Sequence, residues 1–173
     1  MTEEQPYDVI RVEGDFELRR YPEHLVAQVR VPGSFESAGN TAFRPLVNYI
    51  SGRNATNTGL AMTAPVVQEP TEGSHLVSFV LPADVNAGNA PIPTDPSVQV
   101  HVVPVEFAAV SRFSGRWSQS SYDERVRQLS ESIRTAGLTI VGPARFARFN
   151  PPWTPWFMRR NEVVIPVSAE HLA

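Results

Sequence analysis

Two hexapeptides constrain the fold of this chain more than any other feature. Arg30-Val31-Pro32-Gly33-Ser34-Phe35 and Arg112-Phe113-Ser114-Gly115-Arg116-Trp117 share an arginine, a glycine and an aromatic residue at an offset of 82 residues (112 − 30). Each block follows an apolar run with strand character and precedes an amphipathic run with helical spacing. A repeated order of strand, glycine turn, helix and strands marks a duplicated half. The expected class is α+β, with two helices packed on a largely antiparallel, curved sheet or barrel. Folds of this kind hold ligands in a pocket between helix and sheet.

The rest of the chain fits that order. Residues 7–12 and 16–21 flank Glu13-Gly14-Asp15 as a hairpin, and 24–31 is apolar on most of both sides, as a central strand is. Ser34 can cap a helix with apolar positions Phe35, Ala38, Ala42, Phe43, Leu46, Val47 and Ile50. Pro45 removes a backbone hydrogen bond from it, so a kink or a broken ladder is expected there. Ser51-Gly52 stops the helix, 53–59 reads as an exposed loop, and 60–69 pairs with 74–81 as a second hairpin. The proline-rich 82–96 is a crossover loop, after which 98–103 and 106–113 resume strand character. A second helix is expected over about 121–136, opened by the capping box Ser121-x-x-Glu124 and stopped by Gly137, followed by short strands at 138–141, 144–150 and 162–167.

With 173 residues, 42% of them hydrophobic, the chain suits a single domain over 1–173 with a core at about 7–167 and short tails. A net charge of −3 and dispersed arginines do not suit a nucleic-acid surface. The absence of cysteine excludes disulfides, thiolate nucleophiles, thiolate-held zinc and a thiolate-ligated haem iron. All 15 basic residues are arginines, which excludes a Schiff-base lysine and a P-loop lysine. The start, Met1-Thr2-Glu3-Glu4-Gln5-Pro6, is acidic and polar rather than a secretory signal, and no apolar run approaches the ~20 residues that span a bilayer. A soluble cytoplasmic protein is the simplest expectation.

Two stretches stand out: Ala61-Met62-Thr63-Ala64-Pro65-Val66 and, near the C-terminus, Asn150-Pro151-Pro152-Trp153-Thr154-Pro155-Trp156-Phe157-Met158-Arg159-Arg160-Asn161-Glu162-Val163. Met62 suits either a ligand surface or a core gap. Trp153, Trp156 and Phe157 can form a stacking lid or close the end of a barrel. Arg159 and Arg160 can clamp a carboxylate or pair with Glu162. His24, His75, His101 and His171 show no metal-ligand spacing, and His24, close to Arg20 and Tyr21, is the nearest to a candidate metal ligand. No carboxylate pairing or nucleophile elbow suggests catalysis.

These residues resemble the SOUL haem-binding protein family. The match runs over about 7–167 and rests on Phe16-Glu17-Leu18-Arg19-Arg20-Tyr21, the helix from Ala42-Phe43 to Tyr49-Ile50-Ser51-Gly52, Met62-Thr63-Ala64-Pro65-Val66, Phe113-Ser114-Gly115, Asn150-Pro151-Pro152 and Arg160-Asn161-Glu162-Val163. The resemblance implies a distorted eight-stranded antiparallel barrel built as a pseudo-repeat, with two long flanking helices. It also implies tetrapyrrole binding on a hydrophobic surface beside the first helix. By position, that surface corresponds to Asn40, Phe43 and Val47, backed by Met62. Some family members carry a histidine, proposed as an iron ligand, where Arg20 stands, and positions that are basic in some relatives hold Asn48 and Thr154.

The leading expectation is a haem or porphyrin buffer or carrier, with the tetrapyrrole a bound ligand and not a catalytic cofactor. Its expected binding residues are Arg20, Asn40, Phe43, Val47, Met62, Trp153, Arg159 and Arg160, with apolar contact and arginine–propionate pairing in place of a metal ligand. One alternative is a sensor or effector-binding module for cationic aromatic ligands, which a buried, unpaired Glu162 lining a cavity would favour. The other is a tetrapyrrole-modifying enzyme.

Overall fold

A computed structural model describes residues 2–170 and 172. In chain order its elements are β1 (Glu3–Glu4), β2 (Asp8–Glu13), β3 (Phe16–Tyr21), β4 (His24–Val31), α1 (Phe35–Ile50), β5 (Thr63–Ala64) and β6 (Val66–Thr71). They continue with β7 (Ser74–Val80), β8 (Val98–Val103), β9 (Glu106–Phe113), α2 (Gln119–Thr135), β10 (Arg145–Arg148), a 3-10 turn (Trp156–Met158) and β11 (Asn161–Pro166).

Both helices start from local chemistry at the repeated hexapeptides. Gly33 takes φ +107°, and Ser34 then caps α1 by accepting from the Ser37 amide, while the Ser37 hydroxyl accepts from the Ser34 amide. These bonds serve donors that a helix start leaves without intrahelical partners. Helix α1 continues as one element through Pro45. Proline deletes one rung, but Ala38, Ala42, Leu46 and Tyr49 are buried on either side of it and hold the helix on its sheet. Leu46 is fully buried, and truncating such a leucine to alanine costs about 2–5 kcal/mol. Helix α2 is capped by Ser118, whose hydroxyl accepts from the Ser121 amide, three residues before the expected cap. Gly137, at φ +79°, follows its end as expected.

The chain packs as two compact units that are discontinuous in sequence. The first consists of Glu23–Pro104 with the N-terminal residues through Pro6, and the second of Tyr7–Pro22 with the chain from Val105 onward. In the first, antiparallel strands run in the order β6-β7-β4-β8, and α1 packs on β4 and β7 over a core that includes Leu25, Val29, Ala42, Leu46, Phe79 and Val98. Strand β5 pairs in parallel with β1. In the second, antiparallel strands run β2-β3-β9-β11-β10. Helix α2 packs on β9 and β11, and Tyr122 meets Phe146 edge-on at 5.8 Å.

Two consecutive strands repeat along the sequence. Strand β8 repeats β3 and β9 repeats β4, each at the offset of 82 residues (98 − 16 and 106 − 24), and Pro22 and Pro104 sit in equivalent connections. In each repeat the first strand pairs with the second strand of the other repeat. Leu18 of β3 faces Ala109 of β9, and His101 of β8 faces Val26 of β4. The halves have therefore exchanged their leading strands.

The expected eight-stranded barrel is not closed: among the described residues these two runs hold nine strands, and β2 and β8 each pair on one side alone. The strand expected at 60–69 is shortened to β5 and β6, with a cis Ala64–Pro65 bond between them, and 138–141 contributes only a bridge from Ile140 to Val167. The 53–59 loop is pinned by a buried residue rather than wholly exposed. Asn54 donates to the Tyr49 and Thr58 carbonyls and accepts from the Thr58 amide.

Candidate functional site

In the first half, α1 turns an outward strip to solvent. Asn40, Phe43 and Val47 stand three and four residues apart, the spacing that puts side chains on one helix face. Asn40 is exposed, Phe43 is 50% exposed, and Val47 is partly buried against the core. The Phe43 ring stands edge-on to buried Phe79, with centroids 5.9 Å apart. Spacing puts Phe43 on the apolar face of α1, whereas the structure leaves it half-exposed and buries Tyr49 on that face. The Tyr49 hydroxyl donates to the Pro91 carbonyl at 2.6 Å, and burial raises its pKa.

Met62 lies where 60–64 is fastened from both ends. The Leu60 amide donates to the Ile50 carbonyl, the Gln5 amide to the Ala64 carbonyl, and the Thr63 hydroxyl to the Val80 carbonyl. Thr63, Ala64 and Pro65 are buried, whereas Met62 is 37% exposed. The most distinctive stretch of the first half thus presents one soft apolar side chain to solvent and uses its next three residues as an anchor.

In the second half, Arg20 on β3 is half-exposed and lies 3.8 Å from the Asp8 carboxylate. Its neighbour Arg19 is buried, donates to both carboxylate oxygens of Glu162, and also donates to Glu17 and to the Tyr21 hydroxyl. Tyr7 stacks on the Arg19 guanidinium at 3.9 Å. Burial opposes the charge on Arg19, but the bonds to Glu162 and Tyr21 outweigh it and raise its pKa. Burial likewise pushes the Tyr21 hydroxyl up. Arg160 bonds Glu162 at 3.1 Å and lies over Phe149 at 3.9 Å. Glu162 is therefore a doubly paired carboxylate, which counts against a sensor for cationic aromatic ligands.

The proline-tryptophan loop is exposed at its tip and tied down at its base. Trp153 is 84% exposed and Trp156 47%, while Arg159 donates to the Thr154 and Pro152 carbonyls. The Arg159 guanidinium lies 4.1 Å from the centre of the Trp117 ring, with Arg148 at 4.8 Å from the same ring. Burial, with Arg159 adding to the effect, pushes Arg148 down to about 10. Asn161, fully buried, accepts from the Trp117 indole at 2.8 Å and donates to the Gly115 carbonyl at 3.1 Å.

The expected binding residues thus divide four and four: Asn40, Phe43, Val47 and Met62 in the first half, and Arg20, Trp153, Arg159 and Arg160 in the second. The side chains of Arg19, Asn161 and Asn54, which the sequence did not single out, organise their surroundings. His24 contacts the Gln5 amide at 3.1 Å, His75 is buried beside Gln68, and His101 contacts Gln99. His171 lies outside the described residues. Among the described residues, no group of three or more His, Asp or Glu side chains is placed to hold a metal.

The family model described as SOUL heme-binding protein matches residues 2–166. Heme-binding protein 1 of Xenopus tropicalis is 26% identical over 156 residues, covering 86% of this chain and 81% of that protein. Heme-binding protein 1 of Mus musculus is 28% identical over 136 residues, covering 74% of this chain and 70% of that protein. Among solved structures, the EcmrR C-terminal domain superposes with a TM-score of 0.67 at 15% identity, covering 94% of this chain and 98% of that one, which is a likeness of fold.

Proposed function

The chain belongs to the SOUL heme-binding protein family, and from that premise we propose that it binds haem or another tetrapyrrole on the outward strip of α1, as a buffer or carrier. The observation that carries this reading is Phe43, a large aromatic side chain left 50% exposed on the helix that the family resemblance points to. A tetrapyrrole is flat and apolar, with carboxylates at one edge. Phe43 and Val47 offer it an apolar surface, Met62 offers a polarisable thioether, and Asn40 and the exposed Arg44 offer polar partners for its carboxylates. The tetrapyrrole is a bound ligand here, and no residue of the strip is assigned a catalytic role. The proposed compartment is the cytoplasm, with cell fractionation as its check.

Titration with haemin tests the reading. A Soret shift and quenching of tryptophan fluorescence are expected at micromolar ligand, with loss of both in Phe43→Asp and in Val47→Asp. No spectral change in the native chain would sink it. The same titration with Arg20→Ala, Trp153→Ala, Arg159→Ala and Arg160→Ala decides whether the second group of four also contributes.

A further inference from the structure

The loop over 151–160 of the second half carries an apolar tip that its own packing does not explain and of whose apolar side chains the haem expectation names Trp153 alone. Trp153, Trp156, Phe157 and Met158 are 84%, 47%, 61% and 65% exposed, four large apolar side chains within six consecutive residues. A contiguous patch of this kind marks a site of interaction. The tip is held in position by the loop's own bonds. The Thr154 amide donates to the Pro151 carbonyl, the Met158 amide to the Pro155 carbonyl, and Gly115 donates to the Trp156 carbonyl. Arg159 ties the base through the Thr154 and Pro152 carbonyls and its stack on Trp117. The apolar side chains are therefore displayed on a fixed scaffold.

Near the tip Arg160 is paired with Glu162 and Arg159 bonds loop carbonyls, while Arg116 stands exposed. Residues 150–160 contain Arg159 and Arg160 and no carboxylate, in a chain whose net charge is −3. The segment beneath them, 113–118, adds Arg116 and again no carboxylate, and the exposed Arg116 guanidinium lies 5.2 Å from the centre of the Trp156 ring. Tryptophan and phenylalanine beside an exposed arginine is a composition that settles at a bilayer surface, with rings among the headgroups and the cation against phosphates. A single loop tip is small for a stable protein partner, which covers about 800 Å² and 20–30 residues on each side. It is enough for a lipid surface, into which apolar groups enter to a depth of about 5–10 Å.

We propose that this loop is a docking site for an anionic lipid surface, with Trp153, Trp156, Phe157 and Met158 entering the interface and Arg116 meeting headgroup phosphates. This is a surface contact; among the described residues no helix is long and apolar enough to cross a membrane. The proposal stands apart from the haem reading.

The test is flotation of the full chain with vesicles of phosphatidylcholine alone and of phosphatidylcholine with phosphatidylserine, in the absence of haem. Binding to the mixed vesicles, a blue shift of tryptophan emission and quenching by brominated lipid are expected. Trp153→Ser with Phe157→Ser should weaken binding about ten-fold or more, since both rings are lost from the interface. Arg116→Gln should weaken it about five-fold at low salt, the effect of one cation near an anionic surface. Both variants should keep the urea midpoint of the parent, because the altered side chains are exposed. No flotation and no blue shift with either vesicle would overturn the proposal, as would flotation that survives the double variant. Self-association in sedimentation equilibrium that depends on Trp153, without vesicle binding, would overturn it in favour of a second copy. Haemin titration without vesicles reads the other reading separately, so the two can fail independently.

Discussion

Arg19 and Glu162 stand 143 residues apart in sequence and meet through two parallel bonds of 2.8 and 2.9 Å, with side chains only 4% and 1% exposed. The pair ties β3 to β11, joining strands whose sequences lie far apart. Removing one partner leaves the other as a buried charge. Glu162→Ala is expected to cost about 3–5 kcal/mol. Arg19→Met with Glu162→Leu should be milder than Glu162→Ala alone, because both charges then leave together. Urea unfolding of the three chains checks the order.

Asn161 predicts a smaller loss with an optical signature. Its side chain serves the Trp117 indole and the Gly115 carbonyl together. Asn161→Leu keeps the volume but abandons both groups, at an expected cost of about 1–3 kcal/mol. A change in the near-ultraviolet dichroism of the tryptophans should accompany the loss.

Gly33 and Gly115 separate two effects at equivalent repeat positions. Both have positive φ, +107° and +138°, so alanine is strained at either. A Cβ at Gly33 would also stand 2.9 Å from the Ser37 hydroxyl of the α1 cap, whereas at Gly115 it would meet nothing within 4 Å. Gly115→Ala is expected to cost about 1–2 kcal/mol from the backbone. Gly33→Ala should cost about 1 kcal/mol more as the cap is disturbed. Equal midpoints in thermal unfolding would contradict the difference.

Tyr21 and Tyr49 set the alkaline limit. Burial raises both above the ordinary tyrosine value of 10.0, so the folded chain retains protons that the unfolded chain sheds. Their contribution is complete below pH 10.0 and is lost as pH rises through the raised values. Tyr49→Phe should flatten the alkaline fall in stability, and should cost about 1 kcal/mol at neutral pH for the lost bond to Pro91. Phenolate absorbance followed against unfolding reads both quantities.

What the sequence made legible was chemistry between near neighbours. The Gly33-Ser34 turn and cap, the hairpin about Glu13-Gly14-Asp15 and the stop at Gly137 depend on a few adjacent residues, and each is where spacing put it. Three serines at 118, 120 and 121 offered competing caps for α2. The Glu124 that pointed to Ser121 instead bonds Arg127 and Gln128 on the exposed face. Phe43 and Tyr49 changed places because apolar spacing alone does not tell a core stripe from a displayed one. The Arg19–Glu162 bond and the strand exchange join segments remote in sequence, and no local period carries that information.

The exchange of β3 and β8 has a consequence for how such a chain can arise. A half-length ancestor holding one copy of the repeat could not lay its first strand beside its own second, since in neither half does the chain do so. It would complete its sheet only by trading that strand with another molecule. Joining two such copies end to end would turn that concentration-dependent partnership into a property of one polypeptide and leave the two halves free to differ, as they do in displaying Phe43 and Trp153.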